Sequence, residues 1–244
     1  MTGAAPYVGR FAGVRSDLPG RALPWLSALR EDAITRLDET GFPDRRAEAW
    51  KYTDLRRLLR GEFNVAPDST PTVAEPDVSA WLPEETRHLL VFLNGRFAAH
   101  LSRLAEMPQG VRMISLAGAI AVEPVGLEGL LADNSAEGDG LVSLNTAFMA
   151  DGAVLHIDSG IQVDAPLHLL FLTTADGGDC LVQPRNLIIA GADSSATIVE
   201  TYGGLGEAAG WTNSVTDMGV GYGAHLRHFK LQLESPRASY TAVT

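Results

Sequence analysis

Two histidines, His225 and His228, stand three residues apart near the end of this 244-residue chain. On a helix that spacing would put both imidazoles on one face, ready to share a metal ion. The run from His225 to Leu233 alternates like a strand, however, and an odd spacing on a strand sends the two rings to opposite faces unless a bulge intervenes. A strand pair that faces inward needs a spacing of two, so a cupin-like histidine pair is excluded. His156 and His168 fall on separate predicted strands, and spacing alone does not bring them together. All four read as surface or hydrogen-bonded histidines.

Cys180, the single cysteine, follows Asp176-Gly177-Gly178-Asp179. Sulfur chemistry needs a thiolate, and neighbouring carboxylates raise the thiol pKa unless a cation compensates. Arg185 could compensate only if a turn brought it back, so an inert thiol is expected. One cysteine forms no internal disulfide, which is compatible with a reducing compartment. Nor can it hold an iron–sulfur cluster, which takes about four protein ligands.

Gly204-x-Gly206-x-x-Ala209 has the form of a dinucleotide fingerprint, but Gly210 and Trp211 follow too soon for the helix that would bind pyrophosphate. A mobile hairpin is the simpler reading. Neither lysine, Lys51 or Lys230, follows a glycine, so there is no Walker A loop. Asp151, Asp158, Asp164, Asp176 and Asp193 could line a calcium-dependent polysaccharide cleft. Their positions before Gly or Ser, or at strand edges, mark turns instead. No Ser-His-Asp or Cys-His ordering stands out. No catalytic, cofactor-binding or metal-ligating residue is assigned, and the chain is not expected to be an enzyme by itself.

Three zones would position these residues. Residues 1–63 read as helical: Pro24 suits a first turn, and Leu26, Leu29, Ala33 and Leu37 recur at helical spacing before Gly41. Residues 64–87 hold Pro67, Pro71, Pro76 and Pro83 in a spacer, with a short helix around Trp81. Residues 88–244 are β-rich. His88–Leu93, Asn94-Gly95 and Arg96-Phe97 predict a strand, a tight turn and a second strand. A mixed stretch follows, with a helical turn at Leu127–Ala132. Short strands come next at Val154–Ile157, Leu167–Thr173, Asn186–Ala190, Thr197–Tyr202, Ser214–Met218 and His225–Leu233. Leu155, Ile157, Leu169, Phe171, Ile188, Ile198, Val199 and Leu226 are the expected interior, although Ile198 and Val199 cannot both face inward.

The densest motif is Glu48-Ala49-Trp50-Lys51-Tyr52-Thr53-Asp54-Leu55. Thr53 or Asp54 could cap a short helix through Leu55, Leu58 and Leu59 that stops at Gly61. In an extended segment Trp50 and Tyr52 would share a face and clamp that helix to a larger body, with Lys51 pointing away as a solvated or paired cation.

Composition narrows the partners. Net charge is −11, with eleven cations against nine carboxylates in residues 1–65 and eight against twenty-one in the rest. Such an acidic body disfavours nucleic acid, whose phosphates need clustered cations. No apolar run approaches the ~20 residues of a membrane span, and Arg10, Arg15 and Asp17 interrupt any secretion signal.

The Trp50-Lys51-Tyr52-Thr53 segment resembles a signature of the SufB/SufD family of SUF iron–sulfur cluster assembly proteins. Leu93-Asn94-Gly95-Arg96-Phe97 is similar to that family's NGxF turn, Ser143–Phe148 to its LNxAF segment, and Pro184–Ile189 to its PRN strand. Thr212–Thr216 and Lys230–Glu234 also match in order, so the resemblance runs from about residue 20 to the last residue. It implies a mainly β chain, a right-handed parallel β-helix behind an N-terminal helical region. It further implies a cytoplasmic accessory scaffold, with a SufB-like paralogue and a SufC-like ABC ATPase as partners. The cluster would be held transiently by the full complex and not by this chain alone. Family members continue well past residue 244, and the cluster-linked residues and ATPase-docking helices lie in that continuation, so none is transferred here. An uncapped β-helix end would also favour homo-oligomers. A β-helix lyase or hydrolase acting on acidic sugars, and a non-catalytic interaction module, stand as alternatives.

Overall fold

The computed structural model describes residues 3–66, 71–104, 106–132, 139–175 and 178–244; Pro67, Asp176 and Gly177 of the readings above lie outside them. Helices α1 (Ala5–Val14) and α2 (Pro24–Thr40) open the chain. α2 begins on the proline, where a missing N–H is harmless, and buries Leu26, Ala33, Ile34 and Leu37. It stops at Gly41, whose φ of 69° is left-handed and whose N–H donates to the Leu37 carbonyl; glycine enters that region without Cβ strain. Arg30 lies on the same buried face. Its Nη1 donates to the Pro19 carbonyl at 2.8 Å and its Nη2 to that of Met149 at 3.0 Å, while burial pulls its pKa down to about 10.

Four shorter helices follow: α3 (Glu75–Ser79), α4 (Leu116–Val122), α5 (Pro124–Ala132) and α6 (Gly140–Phe148). The strands are β1 (Asn64–Val65), β2 (His88–Leu93), β3 (Arg96–Phe97), β4 (Val111–Ser115), β5 (Ala153–Ile157), β6 (Leu167–Thr174), β7 (Cys180–Val182), β8 (Arg185–Ala190), β9 (Ser195–Leu205), β10 (Gly210–Val220), β11 (His225–Leu233) and β12 (Ala238–Val243). The first sheet runs β1-β7-β10-β8-β5-β4, with β12 also on β10; the second runs β11-β9-β6-β2-β3. Among β5 to β12 every pairing is parallel, with partners 28 to 33 residues apart.

The two sheets face one another across a core that includes Leu90, Phe92, Leu155, Leu169, Ile188 and Ile198. Six of the expected interior residues are buried there. Leu226 and Val199 are half-buried, since Ile198 takes the inner side and alternation turns Val199 outward. Outside the first sheet, Val154 and Leu187 pack under α2, α4 and α5, while Leu181 and Trp211 pack under α1, α2 and α6.

The expected mainly β, right-handed parallel β-helix is therefore corrected to a mixed α/β architecture. Antiparallel ladders occur in both sheets, β2 with β3 and β4 with β5, and helices cover part of the outer face of the first sheet. Alternation identifies strands but not their partners or directions, and residues 98–150, which lacked a clear period, supply a strand and three helices. Two smaller expectations also change. Trp50 lies in a 3-10 turn, Glu48–Trp50, and is half-buried, whereas Tyr52 is 90% exposed and clamps nothing. The helix expected through Leu59 is only the turn Leu58–Arg60, although Asp54 does accept from the Arg56 N–H at 3.0 Å, as a capping residue would.

The Asn94-Gly95 turn forms as read, with φ of 48° and 77°. Asp151 secures it from below, accepting from the N–H groups of Phe97 at 3.1 Å and of Ala117 and Gly152 at 2.9 Å. A Cβ on Gly152 would sit 2.0 Å from the Arg185 carbonyl oxygen. Gly152→Ala is expected to destabilise the fold by at least about 2 kcal/mol, read as a lower urea midpoint. An unchanged midpoint would contradict this close approach.

Candidate functional site

Alternation along β9 and β11 turns Glu200, Tyr202, His228 and Lys230 toward the opposite sheet, where Thr216 of β10 meets them. The register sets Glu200 beside Lys230 and Ile198 beside His228. Glu200 is fully buried. Its Oε1 accepts from Thr216 Oγ1 at 2.9 Å and lies 2.8 Å from His228 Nε2. Its Oε2 accepts from the Tyr202 hydroxyl at 2.6 Å and lies 3.6 Å from Lys230 Nζ. Burial pushes this carboxyl up, but the His228 bond, the Lys230 charge and the Tyr202 hydroxyl outweigh it and hold the group below its ordinary range. Burial, with the adjacent carboxylate, drives Tyr202 well above the ordinary phenol value, so it stays a donor.

The Tyr202 ring stacks on Phe171 at 4.7 Å and Phe171 on Phe92 at 4.7 Å, one aromatic from each of three neighbouring strands. This stack fixes the hydroxyl that meets Glu200. The ensemble can hold an ionised carboxylate in the core. One carboxylate and one imidazole are too few for a metal. Among the described residues, no group of three or more His, Cys, Asp or Glu side chains is placed to hold one.

A second polar knot joins helix and sheet. Arg185, with no exposed surface, donates from Nε to Asp217 Oδ2 at 2.6 Å and from Nη1 to Thr146 Oγ1 at 3.1 Å. Burial lowers the Arg185 pKa and raises that of Asp217, and their mutual attraction opposes both shifts. Nearby, Asn145 donates to the carbonyls of Pro184 and Asn213, both at 2.9 Å. Asn213 in turn donates to the Leu141 carbonyl at 2.9 Å and to Gln183 Oε1 at 2.8 Å. Three motif segments far apart in sequence thus meet at one buried place.

The remaining sequence candidates disperse. His225 is exposed while His228 is turned inward, the opposite faces expected of a strand. His156 is exposed beside Asp158 at 3.4 Å, whereas His168 is buried in the other sheet, so the two do not converge. Cys180 is buried; burial and the Asp179 charge push its thiol up, and Arg185 is committed to Asp217. The Gly204–Ala209 segment is not a hairpin, because β9 and β10 belong to different sheets. Asp151 is a backbone acceptor. Glu200 escaped notice in the sequence, although a lone glutamate on the apolar face of an alternating strand was the available signal.

The chain matches the SufBD protein N-terminal region over residues 1–169 and the SUF system FeS cluster assembly SufBD core domain over residues 171–244. It belongs to the SufB/SufD family. An iron–sulfur cluster assembly SufBD family protein of Synechocystis sp. is 30% identical over 223 residues, covering 88% of this chain and 49% of that protein. The iron–sulfur cluster assembly protein SufD of Escherichia coli is 25% identical over 219 residues, 88% of this chain and 48% of that one. The chloroplastic protein ABCI7 of Arabidopsis thaliana is 26% identical over 233 residues, 92% and 48% respectively. The chain spans about half the length of these relatives. Family membership supports a role in iron–sulfur cluster assembly. No helix among the described residues is long and apolar enough to cross a membrane.

Glu200→Ala would strip the partner from His228 and Lys230, and breaking a buried pair costs about 3–5 kcal/mol. A comparable loss in chemical denaturation is expected, while a loss below about 1 kcal/mol would make the pair incidental. Glu234 supplies a pH test. Burial, only partly offset by bonds from Thr212 and Gln232, raises its pKa to about 7. A carboxyl raised in the folded state adds stability below its unfolded pKa and loses it as pH rises through the folded one. Glu234→Gln is therefore expected to be neutral near pH 4 and stabilising by about 1–2 kcal/mol at pH 8. Equal thermal midpoints for both proteins at pH 8 would refute it.

Proposed function

We propose that this chain acts as a SufD-like accessory scaffold in iron–sulfur cluster assembly, in a complex with a SufB-like paralogue and a SufC-like ATPase. The observation that carries the reading is the tandem match of family N-terminal region and core domain across the whole chain. The Escherichia coli and Synechocystis relatives, both iron–sulfur cluster assembly proteins, support the same direction. The cluster is cargo here, assembled by the complex rather than resident on this chain. Cys180 is buried with its thiol pushed up, a setting that disfavours attack on sulfur donors. ATP hydrolysis falls to the ATPase subunit, the chain itself has no enzymatic step, and the complex works in the cytoplasm. Self-association of the isolated chain belongs to the same proposal. No observation favours the polysaccharide-lyase alternative.

Co-expression with SufB-like and SufC-like subunits of the same organism, followed by affinity capture of the tagged chain, tests the assembly. Retention of either subunit through a salt wash is expected, and capture of neither would refute the reading. Anaerobic reconstitution with iron and sulfide is expected to leave the isolated chain without a stoichiometric cluster by visible absorbance. In the co-expressed complex, Cys180→Ser should leave cluster formation unchanged. A loss of cluster formation with partner binding intact would make this thiol functional.

A further inference from the structure

A patch of exposed cations lies among the described residues of the N-terminal layer. Between Phe42 and Arg60 the chain places Arg45, Arg46, Lys51, Arg56, Arg57 and Arg60, all exposed, against Asp44, Glu48 and Asp54. Each carboxylate is engaged within the segment. Asp44 accepts from the Arg46 N–H at 2.8 Å, Glu48 lies 3.9 Å from Lys51, and Asp54 holds Arg56 at 2.6 Å. Arg45, Arg57 and Arg60 have no carboxylate within 4.0 Å among the described residues. Arg45 donates from Nε to the Lys51 carbonyl at 3.4 Å, and its charge also acts on Asp54 from farther away.

These cations are not simply strewn over a convex face. Arg45, Arg46, Arg56 and Arg60 line a cleft of about 620 Å³ together with Asp44 and Asp54, so cations outnumber carboxylates four to two on its walls, and Phe42, Leu55 and Leu59 lie beneath. Phe42 and Leu55 are buried in the helical core beneath, so the floor is apolar and anchored. Tyr52 stands on the same loop with 90% of its surface exposed. Arginine and exposed aromatics around an apolar floor are the composition of protein interfaces and their energetic centres. A polyphosphate is a poorer fit, because it would engage the cations and leave the apolar floor uncovered.

We propose that this cleft is a docking site for an acidic segment of a partner protein. Arg45 and Arg60 take its carboxylates, and half-buried Leu59, resting over Phe42 and Leu55, takes its apolar side chains. The inference uses only the cleft and its charge, and stands whether or not the scaffold reading holds.

The test uses the whole chain and a fluorescein-labelled short peptide of glutamates interspersed with leucine and phenylalanine, read by fluorescence anisotropy. Saturable binding that weakens with salt is expected. R45E/R60E is expected to weaken it by about tenfold or more, with R45Q/R60Q intermediate and the thermal midpoint unchanged in both. The proposal is overturned if a peptide with glutamine for glutamate binds equally well, or if both variants bind like the parent chain. It is also overturned if inorganic pyrophosphate or single-stranded RNA competes more strongly than the unlabelled peptide. Sedimentation showing a dimer without peptide that R45E/R60E dissociates would assign the cleft to a second copy, and the partner claim would fall.

Discussion

Helix α6 has no solvent face. All nine of its residues are buried, between the N-terminal helices and the first sheet, so each of its polar groups needs a protein partner. At the start, Asp139 accepts from the Leu141 N–H at 2.8 Å, and Gly140 lets the Gly41 carbonyl approach where a Cβ would meet it at 2.1 Å. In the middle, Asn145 and Thr146 bond to segments of β8 and β10. At the end, Arg30 reaches across from α2 to the Met149 carbonyl. Each such bond contributes about 1 kcal/mol net, but an orphaned buried group costs about 1–3. Helix, N-terminal layer and sheet are therefore keyed together by the polarity of one buried element.

The buried charges obey the same asymmetry. A buried ion pair adds little over well-packed apolar side chains, yet its separated members are costly. Sliding β11 by one residue along β9 would turn His228 and Lys230 outward and leave Glu200 charged and alone in the core. Arg185 and Asp217 exert the same control where β8 meets β10. Both knots thus contribute to a single register more than to overall stability.

Local signals in the sequence were read well where they were chemically distinctive. Pro24 and Gly41 bracket α2, Asn94-Gly95 makes the turn, and period-two alternation locates β5, β6, β8, β9, β10 and β11. What alternation cannot carry is which strand lies beside which, so the arrangement into two mixed sheets departed from the expected β-helix. Residues 116–148 were obscure because α4 and α5 are apolar and glycine-rich, while α6, being buried all round, has no polar face to mark its period. The histidine faces were legible from spacing. Glu200, the partner of His228, was passed over although its place among the apolar residues of an alternating strand marked it, because a glutamate is read by habit as solvated.

Trp211 sits at the joint between the two halves of this design. Of the four tryptophans, all described, it alone is fully buried. Tyr7, Phe42 and Phe63, from three separate N-terminal segments, surround its ring at 5.8 to 6.0 Å, and its indole N–H donates to Thr241 at 2.8 Å. The indole is attached to the sheet but solvated or shielded according to where the helical layer lies. With Trp25, Trp50 and Trp81 replaced by phenylalanine, its emission wavelength and its accessibility to a collisional quencher would report the lifting of that layer from the strands. The chain then carries its own optical gauge of whether its two layers are joined.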